Sequence, residues 1–172
     1  MSKSERGTVV AATLGTLLRR LVEQLDGAVE EAYEKAGLQY LPRYTPVVRT
    51  LLRRGPSTIR AISEHGGLTH SAASQTVAQM TRQGLVKVRA GDADARERIV
   101  DLTPTAMKMV PELQRCWRAT AKAAKSLESD LSSPLATVLQ EAIHALEQRS
   151  FAERMRDARR SNATARKSRP SK

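Results

Sequence analysis

The stretch from Thr58 to Thr103 restricts the fold of this chain more than any other part of the sequence. Ile59 and Ile62 lie three positions apart, a spacing typical of the buried side of a short helix. The Gly66–Gly67 pair interrupts that helix, and Thr69 is placed to cap a second one, because its hydroxyl can accept a hydrogen bond from a free N–H of the first turn. Two helices joined by so short a turn predict a helix-turn-helix.

The second helix is expected to run from His70 to Gln83 and to have two different faces. Ala73, Val77 and Met80 recur at helical spacing and predict its buried side. The polar side chains at its start and on its other side are Thr69, His70, Ser71, Ser74, Gln75 and Gln79. A serine hydroxyl bonds to most base edges and a glutamine amide makes a paired contact with adenine, so this face predicts contacts with bases.

A basic β-hairpin follows the second helix. Apolar residues within 85–88 start one strand, the loop 90–95 turns the chain, and residues 96–102 form the return strand. Its basic side chains are Lys87, Arg89, Arg96 and Arg98. A basic hairpin beside a polar helix predicts a winged helix-turn-helix that binds duplex DNA. The predicted fold class is therefore mainly α with a small β-hairpin wing (α+β).

Long amphipathic helices flank this unit on both sides. Leucine and valine recur at three- and four-residue steps through residues 8–37, and Pro46 opens a shorter helix. After the hairpin, Thr103–Pro104 starts a helix that contains Pro111, and a last helix is predicted over 134–151. Such helices either cover the core or form a dimer interface. Their apolar surface exceeds what the small central unit can cover, which favours a homodimer.

The sequence thus predicts four segments. They are an N-terminal helix contributing to dimerisation (1–45), the winged helix-turn-helix unit (46–103, with the recognition helix at about 70–83 and the wing at about 85–102), C-terminal dimerisation helices (104–158) and a basic disordered tail (159–172). The tail is interpreted either as a solvated end of the chain or as a nonspecific phosphate-binding arm.

The central residues also resemble a known family. The order GLTHSAASQTVAQMTRQGLVKV (67–88), followed by GDADARERIVDLTP (91–104), resembles the multiple-antibiotic-resistance regulator (MarR) family of bacterial winged-helix repressors. The resemblance implies a homodimer that places one recognition helix per subunit in successive major grooves and a wing arginine in the minor groove. The resemblance is specific in this stretch and looser outside it, where only the order of helices agrees.

The family's functional positions transfer residue by residue. Asp94 and Arg96 match the wing motif, in which the carboxylate orients the arginines. The resemblance implies base and phosphate contacts for His70, Ser71, Ser74 and Gln75, and a small-molecule effector pocket near Tyr33, Tyr40, Tyr44 and Trp117. The chain departs from the family pattern at four positions: Gly66 replaces a leucine, Ala106 replaces a glycine, and His70 and Gln75 stand where arginines are frequent.

Composition limits the classes of partner and of chemistry. Lys and Arg number 29 against 18 Asp and Glu, a net charge of +11 with an isoelectric point near 10.5, which indicates a polyanionic partner. The single cysteine, Cys116, excludes an intramolecular disulfide, and it is interpreted as a buried small hydrophobe rather than a redox sensor. No apolar run approaches the ~18 residues needed to cross a bilayer, so a cytoplasmic protein without a membrane partner is expected.

No enzyme is predicted. His65, His70 and His144 lie on separate predicted elements without ligand spacing, and no phosphate loop or nucleophile elbow occurs, so neither a metal nor a cofactor is expected. The predicted function is a sequence-specific double-stranded DNA-binding transcriptional regulator, a repressor that binds a palindromic operator as a homodimer and responds to a small-molecule effector. The alternative is a nonspecific basic protein that binds nucleic acid or a membrane surface and senses no ligand.

Overall fold

Helices make up most of the computed structural model, which describes residues 12–91 and 97–167. The elements, in chain order, are α1 (Leu14–Lys35), a 3-10 turn (Pro42–Tyr44), α2 (Thr45–Arg54), β1 (Ser57–Thr58), α3 (Ile59–Gly66), α4 (His70–Arg82), β2 (Val86–Ala90), β3 (Arg98–Leu102), α5 (Pro104–Ser129), α6 (Leu135–Gln148) and α7 (Phe151–Lys167). The predicted fold class, mainly helical with a small antiparallel sheet in a winged-helix arrangement, is confirmed.

Threonine caps set where four of the helices begin. The hydroxyl oxygens of Thr13, Thr58, Thr69 and Thr103 accept hydrogen bonds from the N–H groups three residues ahead, at 3.1–3.2 Å. Each bond satisfies one of the backbone donors that the first turn of a helix leaves free. The caps that the sequence predicts at Thr69 and Thr103 are thus present. Among the described residues the first helix begins at Leu14, after the Thr13 cap; the start that the apolar spacing predicts at Thr8 lies outside the described residues.

The sheet has three strands in the order β1–β3–β2, one more than the sequence predicts. The additional strand is only two residues long, so alternation of apolar and polar residues could not reveal it. Ser57 pairs with Val100 and Thr58 with Ile99, which joins the base of the wing to the start of α3. The return strand begins at Arg98, because Glu97 is a bend and not part of the ladder; residues 92–96 lie outside the described residues.

The hydrophobic core lies where α2, α3 and α4 meet the sheet and the first half of α5. Its fully buried side chains include Val47, Ile62, Met80, Val100 and Leu113. Gly66 on α3 packs against Pro46 on α2, and a Cβ at Gly66 would lie 3.4 Å from Cβ of Pro46.

The chain divides into two units, one up to Thr120 and one from Ala121 onwards. The second unit differs from its prediction, since the last helix does not continue to Phe151. It ends at Gln148, Arg149 is extended, and α7 then runs to Lys167, so residues 159–167 are helical where the composition predicts disorder. The reason is local.

Ser150 and Glu153 form a capping box that restarts the helix. Ser150 N–H donates to Glu153 Oε2 at 2.8 Å, and Glu153 N–H donates to Ser150 Oγ at 3.3 Å. Neither Gly nor Pro occurs from 151 to 167, and alanine and arginine are good helix formers. The helix therefore extends well into the basic segment.

Candidate nucleic-acid interface

The outer surface of α4 is one row of exposed side chains. Ser71, Gln75, Ala78 and Arg82 are exposed and follow one another at steps of four, three and four residues. The opposite side of the helix is buried through Ala73, Thr76, Val77 and Met80. The amphipathic division predicted for residues 70–83 is therefore present, and α4 has a narrow exposed row opposite its buried side.

The predicted contact residues of α4 fall into two groups. His70, Ser71 and Gln75 are exposed, whereas Ser74 and Gln79 are half-buried at the two edges of the row. The amide nitrogen of Gln75 lies 3.5 Å from Ser71 Oγ, so the two side chains are already close to each other on the outer surface. In addition, Thr69 Oγ1 accepts a hydrogen bond from the N–H of Ala72, so the structure shows Thr69 as the N-cap of α4.

Sequence reasoning missed two members of the exposed row, Ala78 and Arg82. Ala78 attracted no attention because it is neither polar nor charged, yet its small side chain lets the backbone approach closely and suits contact with a thymine methyl. Arg82 lies in the last turn, where its charge also favours the negative end of the helix dipole. Counting four- and seven-residue steps from Ser71 would have found both.

The wing strands carry three exposed basic side chains, Lys87, Arg89 and Arg98. In the β2–β3 ladder Arg89 pairs with Ile99, and Arg98 pairs with Ala90 at the outer end. Lys87 Nζ lies 3.4 Å from Asp101 Oδ2, so part of the charge of Lys87 is balanced within the hairpin. Arg89 Nη1 donates to the Ala90 carbonyl at 3.2 Å. Asp94 and Arg96, the two positions of the wing motif, lie outside the described residues.

The end of α4 is tied to the base of the wing. Gly84 adopts a left-handed conformation with φ of 69°, as the sequence predicts, and Leu85 N–H then donates to the Met80 carbonyl at 2.9 Å. Thr103, at the far end of the hairpin, donates through Oγ1 to the Gly84 carbonyl at 2.7 Å and through its N–H to the Leu85 carbonyl at 3.0 Å. The end of α4 and the base of the wing are therefore held in a fixed relative position.

The four residues predicted to surround an effector pocket lie together. The rings of Tyr33 and Tyr40 meet edge to face with centroids 5.0 Å apart, and those of Tyr40 and Tyr44 meet in the same way at 5.6 Å. Trp117 Nε1–H donates to Tyr33 Oη at 3.1 Å. Thr45 Oγ1 lies 3.3 Å from Tyr33 Oη and accepts from Tyr40 Oη at 3.5 Å. These rings, with Thr45, are called the aromatic cluster below.

The aromatic cluster is a packed part of the core. Tyr33, Tyr40 and Tyr44 are 1%, 5% and 0% exposed, and burial raises the pKa of Tyr40, which keeps its hydroxyl protonated. Tyr44 Oη is buried without a hydrogen-bond partner in the described part of the chain. The guanidinium of Arg49 lies 5.2 Å from the centre of the Trp117 ring. The cluster thus combines a cation over the Trp117 ring with a buried hydroxyl, that of Tyr44, that makes no hydrogen bond within the described residues.

A small cleft of about 240 Å³ opens beside Tyr40. Its lining residues are Glu30, Glu34, Leu38, Gln39, Tyr40, Leu41 and Gln83. Gln83 is the C-terminal cap of α4, so the cleft lies between α1 and the end of α4. Sequence reasoning did not find this cleft, because Gln83 is more than 40 positions away from the other lining residues, which lie within 30–41.

Other chemistry finds little support in the described part of the chain. Cys116 is buried, and desolvation raises the pKa of its thiol, which agrees with the structural interpretation. No group of three or more His, Cys, Asp or Glu side chains is placed to hold a metal ion among residues 12–91 and 97–167. The helices found over those same ranges include none that is both long and apolar enough to span a bilayer.

A family model matches the central part of the chain. Residues 37–97, about a third of the chain, match the family model described as the MarR family, which confirms the resemblance over that segment. No curated protein matches the sequence significantly.

Solved structures share the fold at low sequence identity. The chain is similar to Bordetella bronchiseptica BpsR, whose DNA binding is regulated by 6-hydroxynicotinic acid, with a TM-score of 0.59 and 15% identity over 82% of this chain and 97% of that one. It is similar to Streptomyces coelicolor PcaV in complex with its natural ligand (TM-score 0.54, 19% identity, 83% and 99% covered). It is also similar to overoxidised AbfR bound to DNA (TM-score 0.54, 20% identity, 78% and 88% covered).

Proposed function

Because residues 37–97 match the MarR family within a winged-helix fold, we propose that this protein is a sequence-specific double-stranded DNA-binding transcriptional regulator. The observation that carries the proposal is the exposed row of α4 held rigidly beside a basic hairpin. The row contains hydroxyl, amide, methyl and guanidinium groups, all of which recognise base edges in the major groove. The similar fold of AbfR, solved bound to DNA, supports the same assignment.

The protein acts as a homodimer on a palindromic operator. α1 exposes Leu14, Leu17, Val22 and Leu25, each 44–70% exposed, along one side of the helix. α6 has no buried residue and exposes Val138, Ile143 and Leu146. Single surface leucines are ordinary, but continuous apolar rows on two long helices indicate a partner surface. A two-fold dimer then presents two α4 helices to half-sites about one helical turn of DNA apart.

Binding to an operator that overlaps a promoter represses transcription, and a small-molecule effector modulates it. The aromatic cluster is the proposed effector site, in line with the ligand-responsive neighbours BpsR and PcaV. Tyr44 directly precedes α2, and Trp117 lies on α5 after the wing. The rings therefore come from both sides of the winged helix-turn-helix unit (46–103). An effector that separates these rings and accepts a hydrogen bond from Tyr44 would shift the equilibrium between a DNA-binding conformation and one that does not bind DNA. The size of that shift is set by the difference between its affinities for the two conformations.

Selection from a random duplex library tests the proposal. The wild-type protein is expected to enrich a palindrome, and Gln75→Ala is expected to change which sequences win, at a cost of roughly 1–3 kcal/mol at one base pair. Gln39→Ala is the matched control, because it removes the same amide from the loop before α2. An unchanged ranking for Gln75→Ala would reject the assignment of the reading face.

The alternative, a nonspecific polyanion-binding protein, rests on the net charge of +11. It predicts that bulk RNA and anionic vesicles compete as well as the selected duplex at physiological salt. Preferential retention of the selected duplex would exclude it.

A further inference from the structure

The cleft beside Tyr40 differs in charge from the chain as a whole. The protein carries a net charge of +11, yet the charged side chains around the cleft are acidic, those of Glu30 and Glu34. Among the described residues that line it, none is a lysine, an arginine or a histidine. The cleft is therefore a negatively charged site on a strongly basic protein.

The two carboxylates of the cleft have no cation beside them. Glu30 and Glu34 lie four residues apart on α1, so their side chains share one side of the helix. Neither forms an ion pair in the described part of the chain. The neighbouring cation is already used, because Lys35 Nζ lies 2.6 Å from Glu31 Oε1. Like charges at this spacing repel each other, and a cation bound between them removes that repulsion.

Two helices end at the cleft and add to its negative potential. Glu34 lies in the last turn of α1, which ends at Lys35, and Gln83 is the C-terminal cap of α4. The C-terminus of a helix is the negative end of the helix dipole, which stabilises a cation near the last turn. This contribution comes from the backbone and is independent of the two carboxylates. Side chains and backbone therefore favour a ligand of the same charge.

The rest of the lining consists of apolar side chains and two amides. Leu38 and Tyr40 are buried, and Leu41 is half-buried. Gln39 and Gln83 are exposed, and their side-chain oxygens can accept hydrogen bonds from an ammonium group. The volume of about 240 Å³ is smaller than the roughly 300–1,000 Å³ of pockets that hold drug-sized ligands. The cleft therefore suits a small molecule with a cationic head and a short hydrocarbon part.

We propose that this cleft binds a small organic amine, with the ammonium group at Glu30 and Glu34 and the hydrocarbon part against Leu38 and Leu41. A metal ion is disfavoured, because Ca²⁺ and Mg²⁺ take about six or more oxygen ligands. No group of three or more His, Cys, Asp or Glu side chains is placed to supply them among residues 12–91 and 97–167. The site shares Tyr40 with the aromatic cluster but has the opposite charge, since the charge beside the cluster is the guanidinium of Arg49.

NMR titration of the isotopically labelled full chain with benzylamine tests the site. Benzylamine is protonated at neutral pH and joins an ammonium group to one small ring, so a Kd on the order of 1 mM is expected. Saturable chemical-shift changes should appear at the backbone amides of residues 38–41 and 83. Benzyl alcohol and benzoate have a similar size without the positive charge. They should bind at least about tenfold more weakly, because the charge-assisted hydrogen bonds to the carboxylates are lost.

Two double variants locate the binding charge. Glu30→Gln with Glu34→Gln keeps the size of both side chains and removes their charge, so the Kd for benzylamine should rise at least about tenfold. The matched control, Glu23→Gln with Asp26→Asn, removes two exposed carboxylates of α1 that do not line the cleft. Its Kd should stay within about threefold of wild type, because exposed charges are screened by salt. Far-UV circular dichroism of both variants checks that the helices are retained.

Several outcomes would overturn the amine site. An equal rise in Kd for the two double variants would show that only the overall charge matters. Benzoate that binds the wild-type protein as tightly as benzylamine, or shifts that leave residues 38–41 and 83 unchanged, would reject the site as well. Displacement of benzylamine by an equal concentration of magnesium chloride would show an inorganic cation site instead. All of these measurements are made without DNA, so a failure of the amine site leaves the proposed regulator standing, and the converse also holds.

Discussion

The aromatic cluster makes opposite predictions for two nearly identical substitutions, Tyr33→Phe and Tyr44→Phe. Each removes one oxygen from a buried ring, at 1% and 0% exposure respectively. Tyr33 Oη accepts from Trp117 Nε1–H at 3.1 Å and lies 3.3 Å from Thr45 Oγ1. Tyr44 Oη has no hydrogen-bond partner in the described part of the chain. The two variants therefore differ in hydrogen bonding and hardly at all in packing.

The expected magnitudes follow from the partners that remain. Tyr33→Phe leaves the indole N–H of Trp117 without its acceptor, and a buried donor left unsatisfied costs about 1–3 kcal/mol. Since Trp117 is only half-buried, the lower part of that range applies, about 1–2 kcal/mol. Tyr44→Phe removes a desolvated hydroxyl that makes no bond, so the free energy of unfolding should stay the same or rise by up to about 1 kcal/mol.

Urea denaturation followed by tryptophan fluorescence measures both variants. Trp117 is the only tryptophan of the chain and lies beside Tyr33, so the signal reports on the cluster itself. With a slope of about 2 kcal/mol per molar urea, the midpoint of Tyr33→Phe should fall by about 0.5–1 M. All proteins are compared at one protomer concentration, because a dimer links stability to concentration.

The order of the midpoints decides the outcome. Tyr44→Phe is expected at or above wild type, and Tyr33→Phe below it. Equal midpoints, or a larger loss for Tyr44→Phe, would refute the hydrogen-bond assignments within the aromatic cluster. The same pair informs on effector binding, because Tyr44→Phe removes the donor proposed to meet a ligand without weakening the fold.

Three further outcomes are expected. Thr69→Ala should lower the free energy of unfolding by about 1 kcal/mol in thermal or urea denaturation, since Ala72 N–H loses its cap, whereas Thr69→Ser should be close to neutral. Cys116 should react with iodoacetamide at least about tenfold more slowly in the native protein than in urea, because its pKa is raised by burial and only the thiolate reacts; equal rates would show the thiol accessible. Leu17→Glu should raise the dimer dissociation constant at least about tenfold in sedimentation experiments. Thr16→Glu, on the other side of α1, should leave it unchanged. A Leu17→Glu dimer as stable as wild type would show that α1 is not part of the dimer interface.

Local chemistry made much of the winged helix-turn-helix unit predictable. The caps at Thr69 and Thr103 and the left-handed Gly84 depend on one residue and its neighbours within a few positions, so the sequence alone predicts them. The buried side of α4 follows from helical periodicity for the same reason. The polar row opposite it was predicted in part, but Ala78 and Arg82 were missed because the prediction relied on polar residue types near the start of the helix.

The second unit shows where composition misled. Residues 159–172 are poor in apolar residues and rich in arginine, which predicts disorder, yet the helix continues to Lys167. The capping box at Ser150 and Glu153 was present in the sequence and indicated a new helix start there. Net charge describes interactions with partners and says less about local helix formation than caps and helix propensities do.

The sequence by itself determined the two helices of the helix-turn-helix, the start of α5 at Pro104 and which side of α4 is polar, because these properties depend on neighbours a few residues away. Only the tertiary structure decided that Ser57–Thr58 adds a strand to the wing. It alone also decided that Tyr33 and Trp117, 84 positions apart, share a hydrogen bond and that Tyr44 has none. Such contacts depend on how distant elements pack against one another, which local spacing does not encode.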